Sequence, residues 1–165
     1  MRFLPLLVTL ALPLAARADA PKYEIKDNHL VLPAPIVFET NSAKLAPASD
    51  ATIAFIKGYL DDKSYISLMR IENHSDAQGD AKANQALSEK RALAVAKAIV
   101  AKGIDCKRLI AVGFGSTKPV APDDTPENRA KNRRTEAANA ALRGHAIGGM
   151  PADGGGQVAG DTCAK

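Results

Sequence analysis

A carboxylate and a guanidinium, Asp76 and Arg91, stand out in the stretch ENHSDAQGDAKANQALSEKRA, which runs from Glu72 to Ala92. The stretch begins at the end of an apolar run and finishes inside an alanine-rich segment, so neither charge belongs to an ordinary solvated surface. Removing an unpaired charge from water is costly, so each of these groups needs a partner. Together they could bind a ligand that carries both an ammonium and a carboxylate group.

The residues after Gly79 predict a long helix over residues 80–102 that carries Arg91 close to its core stripe. Positions three, four and seven apart lie above one another on a helix, and one face collects Asn84, Leu87, Ser88, Arg91 and Val95. Asp76, placed by the turn at Gly79, is the nearest obvious partner for Arg91. A purely structural ion pair is the alternative interpretation, because perturbed charge pairs serve scaffolds as often as sites.

The amino terminus has the pattern of a secretory signal peptide. Met1 and Arg2 precede the apolar run FLPLLVTLALPLAA, which is short and interrupted by proline for a stable membrane span, and ARADA offers small residues for cleavage after Ala18. No cysteine follows the cleavage site, which argues against a lipid anchor. We expect an exported periplasmic protein with no membrane anchor of its own, so any association with the outer membrane would be indirect.

The charge and composition of the mature chain argue against a nucleic-acid partner. Loss of residues 1–18 lowers the number of basic residues from 22 to 20, against 18 acidic residues, so the net charge is only +2. Such a weak and interspersed charge is not typical of nucleic-acid binding. The absence of Trp and an aromatic content of 4% also argue against the stacking surfaces of single-strand binders.

The two cysteines, Cys106 and Cys163, both lie in the mature part of the chain. An exported chain with one pair of cysteines most simply forms one disulfide. A metal site needs more than two ligands, and a thiol nucleophile needs a nearby base that the sequence does not show. The bridge would hold the end of the chain against the turn at GIDCKRL.

The pattern of apolar and turn residues predicts alternating strands and helices after a small hairpin with its turn at Asp27 and Asn28. The segment RRTEAANAAL favours a helix by composition but a strand by its place in the order, and we assign it as a strand. The predicted elements are a hairpin at 23–32, a strand at 33–40, a helix at 50–62, a strand at 64–72, a helix at 80–102, a strand at 107–115, a short helix at 126–132 and a strand at 133–142.

This order indicates an α/β (α+β) two-layer sandwich in which helices cover mainly one face of a mixed sheet. Seven glycines fall between Gly144 and Gly160, so the end of the chain should bury little and should be mobile except near Cys163. We therefore divide the chain into a signal peptide at 1–18, an N-terminal hairpin at 19–34, a main domain at 35–143 and a glycine-rich tail at 144–165.

Three motifs in order carry a family resemblance: HSDAQGDAKANQALSEKRA, GFGSTKP and RAKNRRTE. Their spacing resembles the OmpA-like peptidoglycan-binding family, which includes the carboxy-terminal domain of OmpA, Pal and the stator protein MotB. The resemblance covers about residues 36–141 and implies a βαβαβαβ sandwich. It also implies noncovalent binding of peptidoglycan in the cell envelope through the diaminopimelate residue of the stem peptide.

Carried over to this sequence, the resemblance assigns Asp76 to the ammonium group of the ligand and Arg91 to its carboxylate, with Asn84 and Ser75 lining the same pocket. Arg129, Asn132 and Arg133 match the closing motif and should support the site, with a secondary role in contacting the anionic ligand. His74 should be structural, and Arg134 should be a plain surface charge. We expect peptidoglycan and other envelope proteins as partners, with no cofactor, no metal and no catalysis, since no nucleophile with a base is apparent.

Two departures from the family pattern keep alternatives open. Asn73 stands where the family usually has glycine and Ser75 where it has threonine, so the rim of the pocket could differ. One alternative is an envelope structural or partner-binding module with the same fold and no wall affinity. The other is an exported metal-dependent hydrolase built on His74 and Asp76, although neither forms a recognisable ligand spacing with the other histidines.

Overall fold

The computed structural model describes residues 22–164 of the chain, so the predicted signal peptide lies outside the described residues. Three α-helices and seven strands follow one another in this part of the chain: β1 (Ile25–Lys26), β2 (His29–Leu30), α1 (Asp50–Asp62), β3 (Ile66–His74), α2 (Ala81–Ala101), β4 (Leu109–Gly115), α3 (Pro126–Asn132), β5 (Thr135–Leu142), β6 (His145–Ala146) and β7 (Gln157–Val158). Within this range, no helix combines the length and the hydropathy that a bilayer crossing requires.

The strands form one mixed sheet in the order β1-β2-β5-β3-β4-β7, with β6 paired to β5. Only β3 and β4 run parallel among the described pairs, and all the others are antiparallel. Helices α1 and α2 cover one face, where the buried core collects Ile56, Leu60, Met69, Ile71, Val95 and Ile99. The predicted α/β sandwich is therefore confirmed.

The predicted strand at residues 33–40 is wrong, because this segment satisfies its backbone groups locally. Pro33 and Pro35 lack a backbone N–H and cannot donate to a ladder. The N–H of Val37 donates to the hydroxyl of Ser49 at 2.8 Å, and the Val37 carbonyl accepts from that hydroxyl at 2.9 Å. Ile36 is nevertheless buried, so the segment contributes to the core as a loop.

Helix α2 begins and ends where the sequence predicts. The side chain of Asp80 accepts a hydrogen bond from the N–H of Ala83 at 2.8 Å, and Gly103 follows the helix with a φ of 103°. Val95 and Ile99 are fully buried, but Leu87 is only half-buried. The remaining fully buried positions of the helix are small residues, which lets α2 lie very close to the sheet.

The hairpin is confirmed, and its strand β2 joins the main sheet. Asp27 and Asn28 adopt φ values of 49° and 64°, the geometry of a tight hairpin turn. His29 on β2 is aligned with Ala138 on β5. The N-terminal extension is therefore an edge of the sheet, next to β5.

The glycine-rich tail packs on the sheet, contrary to the mobile tail that its composition predicts. Strand β7 pairs with β4, and Gly154 lies so close to the Arg70 guanidinium that a Cβ there would stand 2.5 Å from Cζ. The lack of side chains allows this close approach, so glycine here serves packing. A disulfide joins Cys106 to Cys163 with a Cα–Cα distance of 5.1 Å, as predicted.

Candidate ligand-binding site

The candidate site lies where β3 ends, beside the carboxyl end of β4 and the first turns of α2. The N–H of Ser75 donates to the carbonyl of Gly115 at 2.8 Å, which ties the loop after β3 to β4. The side-chain amide of Asn84 donates to the carbonyl of Gln78 at 2.7 Å and holds the same loop against α2. Ser75, Asp76 and Asn84 are thus brought together, as the sequence predicts.

Asp76 pairs with Arg133, and the predicted pairing with Arg91 is wrong. Arg133 Nη1 donates to Asp76 Oδ2 at 2.5 Å, and the N–H of Gln78 donates to Oδ1 at 3.2 Å. The Asp76 side chain is 12% exposed, whereas the Arg133 side chain is 48% exposed. Arg133 follows α3 directly and can reach Asp76 while much of its own charge stays hydrated.

Arg91 obtains its contacts from the loop before α1. Its Nε donates to the carbonyl of Ser42 at 2.9 Å, and its guanidinium carbon lies 5.0 Å from the centre of the Phe38 ring. Burial lowers the pKa of Arg91, and the positive charge of Arg133 lowers it further. The two guanidinium groups therefore repel each other beside Asp76, and a ligand carboxylate would relieve this repulsion.

Two buried side-chain oxygen atoms near the loop retain unused hydrogen-bonding capacity. Ser75 Oγ has no hydrogen-bond partner among residues 22–164, and the same holds for Asn73 Oδ1. Asn73 Nδ2 donates to Thr135 Oγ1 at 2.8 Å, so this side chain is bound to β5. A ligand that reaches Ser75 would find a hydroxyl ready to bond.

Asn132 supports the site indirectly, because its side chain forms hydrogen bonds with the loop before α3. Its Oδ1 accepts from the N–H groups of Val120 at 2.9 Å and Ala121 at 3.1 Å, and its Nδ2 donates to Asp123 Oδ1 at 3.2 Å. Asp123 in turn accepts from the Gln78 side chain at 3.3 Å. The closing motif is thereby linked to the turn that carries Asp76, a connection that the sequence did not reveal.

The two other arginines of the closing motif have different roles. Arg129 Nη1 donates to the carbonyl of Asp123 at 3.2 Å and does not contact Asp76. Arg134 is half-buried and pairs with Glu136 at 3.1 Å, so its predicted role as a plain surface charge is wrong. Arg133 thus contacts the loop after β3, whereas its neighbour Arg134 contacts Glu136 on β5.

His74 and Asp76 face different groups, which removes the geometric basis for a metal site shared by this pair. The imidazole of His74 stacks on Phe114 with a centroid distance of 4.9 Å and an interplanar angle of 6°. Its Nε2 lies 3.3 Å from Glu72 Oε2 and 3.2 Å from Glu136 Oε2. His74 therefore belongs to a charged cluster on the face of the sheet away from the helices.

This cluster was missed at the level of sequence, although Arg70, Glu72 and His74 alternate along one strand with a period of two. Burial opposes the ionisation of Glu72, but contacts with His29, His74 and Arg70 outweigh it and hold the pKa of Glu72 far below its usual range. Burial likewise opposes the ionisation of Glu136, yet His74 and Arg134 lower its pKa to about 2. Both carboxylates are ionised at neutral pH.

Comparison with known proteins identifies the class to which this fold and site belong. The model of the OmpA family matches residues 37–133, more than half of the chain, and the chain belongs to this family. It is 36% identical over 102 residues to the peptidoglycan-binding protein ArfA of Mycobacterium tuberculosis, a match that covers 62% of this chain and 31% of ArfA.

Two solved structures show the same fold. A MotB-like protein from Desulfovibrio vulgaris matches with a TM-score of 0.59 and 28% identity, covering 70% of this chain and 78% of that one. The peptidoglycan-associated lipoprotein from Burkholderia pseudomallei matches with a TM-score of 0.55 and 28% identity, covering 63% and 86%. The chain spans less than half the length of the first curated relatives, for example 48% of the probable lipoprotein YiaD of Escherichia coli.

Proposed function

We propose that this protein binds peptidoglycan noncovalently, through the free amino-acid end of diaminopimelate in the stem peptide. One observation carries the proposal: a largely buried carboxylate, Asp76, is paired with Arg133, and the charge of Arg133 also acts on the partly buried guanidinium of Arg91. The side chain of diaminopimelate ends in an ammonium and a carboxylate on one carbon atom. A site with both signs of charge is complementary to that group.

The ammonium group would bind Asp76 by replacing Arg133. Because Arg133 already neutralises the carboxylate, binding exchanges one cation for another and does not bury Asp76 anew. The Arg133 side chain is about half exposed, so water rehydrates its guanidinium when it leaves, whereas the largely buried Asp76 needs the ligand ammonium in its place. Arg133 can then remain near the ligand as a second positive charge.

The carboxylate group would bind Arg91. The hydrogen bond to Ser42 and the contact with Phe38 fix the guanidinium plane through Nε and the ring face. Nε is the only Arg91 donor with a hydrogen bond within residues 22–164, so both Nη groups can donate to one carboxylate. A bidentate pair of this kind is directional as well as strong. In this arrangement Ser75 and Asn84 would line the space between the two charged contacts.

The relatives support this proposal, since ArfA is named as a peptidoglycan-binding protein and the Burkholderia protein as peptidoglycan-associated. The site would act by binding alone, without a reaction. We further propose that residues 1–18 direct the chain to the periplasm, where peptidoglycan is accessible. The alternative of a module without wall affinity rests on Asn73, and the side chain of Asn73 donates to Thr135 on β5.

Co-sedimentation with isolated sacculi tests the proposal, with two competing peptides that differ by one carboxylate. A stem peptide containing diaminopimelate should displace the protein, whereas the matched peptide containing lysine, which lacks the terminal carboxylate, should not. Arg91→Ala should also lose retention, and its charge-matched control is Lys107→Ala, which removes one exposed positive charge before β4, at the far end of that strand.

We expect sacculi to retain the parent protein and the Lys107→Ala variant. The Asp76→Asn variant should not be retained. Absence of retention by the parent protein would contradict wall binding. Equal displacement by the two peptides would contradict recognition of diaminopimelate while leaving the weaker claim of peptidoglycan binding in place.

A further inference from the structure

On the sheet face away from the helices, three strands bring together His29, Glu72 and Glu136. One potential ligand atom from each residue lies within 4.8 Å of the other two. Glu72 on β3 and Glu136 on β5 are directly opposite in register, and His29 enters from β2. None of the three contacts Asp76, so this cluster is separate from the proposed peptidoglycan site.

In the neutral form of His29, the lone pair of one ring nitrogen is directed at Glu72. Its Nδ1 lies 2.8 Å from the carbonyl oxygen of Asp27, which can only accept, so Nδ1 carries the proton of the neutral ring. Nε2 then presents a lone pair at 3.6 Å from Glu72 Oε1. Histidines that bind metals are commonly fixed in this way, with one ring nitrogen bonded to a carbonyl and the other left for the ion.

The buried side of the cluster contains a second nitrogen that lacks a hydrogen bond. His74 is 1% exposed, and its Nε2 has no hydrogen-bond partner among the residues that the structure describes. The atom nevertheless lies 3.3 Å from Glu72 Oε2 and 3.2 Å from Glu136 Oε2. A buried polar atom without a partner is destabilising, and this one is directed at both carboxylates.

The spacing of the three ligand atoms comes close to the dimensions of a zinc site. Zinc binds nitrogen and oxygen ligands at about 2.0–2.2 Å, which places neighbouring ligand atoms of a tetrahedron about 3.3–3.6 Å apart. His29 Nε2 and Glu72 Oε1 are 3.6 Å apart, and the ligand atoms of His29, Glu72 and Glu136 all lie within 4.8 Å of one another, so small side-chain rotations would bring them to tetrahedral spacing. The separation of 3.6 Å exceeds the length of an ordinary charge-assisted hydrogen bond.

Two arginines set the electrostatics of the cluster. Arg70 contacts Glu72 Oε1 at 2.6 Å and Arg134 contacts Glu136 Oε2 at 3.1 Å, so each carboxylate is oriented and partly neutralised. This charge compensation weakens the attraction for any cation and disfavours hard ions that depend on net negative charge. An imidazole ligand favours zinc over magnesium or calcium.

An open groove with a volume of about 630 Å³ gives the cluster access to solvent. His29 and Glu136 both line it, and their side chains are 34% and 31% exposed. An ion can therefore reach the ligands without unfolding of the sheet. An entry path of this kind is one requirement for a metal site.

We propose that His29, Glu72 and Glu136 bind a divalent transition metal ion of the Zn²⁺ type, with His74 against the buried side of both carboxylates. The fourth position of the ion faces the groove. Because the ligands come from β2, β3 and β5, the ion would fasten the N-terminal hairpin to the centre of the sheet. The proposal concerns binding and stability and is independent of wall binding.

Titration with ZnCl₂ of the chelator-treated full-length protein tests the proposal by calorimetry and by thermal unfolding. The parent should bind one ion per chain and show a higher Tm, whereas MgCl₂ should have no effect. His29→Ala and Glu136→Gln should each weaken Zn²⁺ binding at least tenfold and abolish the rise in Tm. His145→Ala is the matched control, because His145 is exposed on β6 and outside the cluster.

Absence of saturable Zn²⁺ binding by the parent would overturn the proposal, as would binding that His29→Ala and Glu136→Gln leave unchanged. Circular dichroism of both variants without metal establishes that they are folded. Sacculus retention by the chelated protein is measured in parallel, so failure of the metal site and failure of wall binding give distinct results.

Discussion

Asp76 and Arg133 are 57 residues apart in the chain and form an ion pair across the end of the central strand. Asp76 follows β3 and Arg133 follows α3, so the pair exists only when the loop before α3 has closed over the strand ends. The hydrogen bonds of Asn132 to that loop supply the closure. The binding site is thus assembled by the closing motif and is not a local feature of the stretch around Asp76.

Asp76→Asn should weaken sacculus binding by on the order of 2 kcal/mol, about thirtyfold, because the ligand ammonium loses its counter-charge. The amide keeps the size of the side chain and can still accept from the N–H of Gln78. The apparent Kd for a peptide containing diaminopimelate, measured by calorimetry, checks the loss. If the variant is folded and binds the peptide with the affinity of the parent, Asp76 has no role in binding the ligand.

Arg91→Ala should lower the affinity for the same peptide by a similar factor, and Arg91→Lys should restore little of it. Lysine supplies the charge but not the planar pair of donors that a carboxylate accepts. Both variants should bind the lysine-type peptide as weakly as the parent does. Full recovery with Arg91→Lys would contradict a bidentate contact.

Arg133→Gln tests whether Arg133 only neutralises Asp76 in the free protein or also contacts the bound ligand. Arg133 is about half exposed but Asp76 is largely buried, so the variant should lose about 1–3 kcal/mol of the free energy of unfolding, because the carboxylate is left without its counter-charge. Sacculus affinity should fall less than with Arg91→Ala, because the ammonium of the ligand no longer competes with the guanidinium for Asp76. A loss as large as that of Arg91→Ala would assign Arg133 a direct role in holding the ligand.

Sequence reasoning recovered those elements whose signals are local. The hairpin turn at Asp27 and Asn28 and the bounds of α2 follow from turn and capping residues, and β5 follows from the order of elements. The segment at 33–40 failed because Ser49 takes the backbone groups of Val37, a contact between side chain and loop that no apolar pattern encodes. The prediction of a mobile tail was wrong because a high glycine content is typical of flexible chains and does not show where glycine permits close packing.

The same limit applies to the site. Ser75, Asp76 and Asn84 are close in sequence, and their placement followed from the strand end and the helix spacing. The partner of Asp76 was misassigned because Arg91 is near in sequence whereas Arg133 is near only in space. The cluster of Glu72 and His74 was missed because its other members lie on strands whose register the sequence does not reveal.

Asn132→Ala should destabilise the fold by about 2–4 kcal/mol, because it leaves the N–H groups of Val120 and Ala121 without their acceptor in a buried position. The matched control is Asn128→Ala on the same helix, whose hydrogen bond to Asp124 is exposed and should matter little. Urea unfolding measures both. Equal stability of the two variants would contradict a supporting role for Asn132.

Joint replacement of Cys106 and Cys163 by serine should lower the free energy of unfolding by about 4 kcal/mol in the chain-entropy model, given a sequence separation of 57. Alkylation of the unreduced parent followed by mass spectrometry should detect no free thiol. Two alkylated cysteines per chain would refute the bridge. In the presence of reductant, the free energy of unfolding of the parent should fall to that of the double variant.

Strand β7 covers the outer side of β4, at the end of the sheet opposite the hairpin. An uncovered strand offers its backbone to strands of other molecules, which is a common route to aggregation. Two residues of β7 give weak cover by themselves, and the bridge at Cys163 keeps them in place. The disulfide therefore favours solubility as well as stability. Before the bridge forms, β7 is held less firmly on β4, and the exposed edge of β4 can pair with other chains.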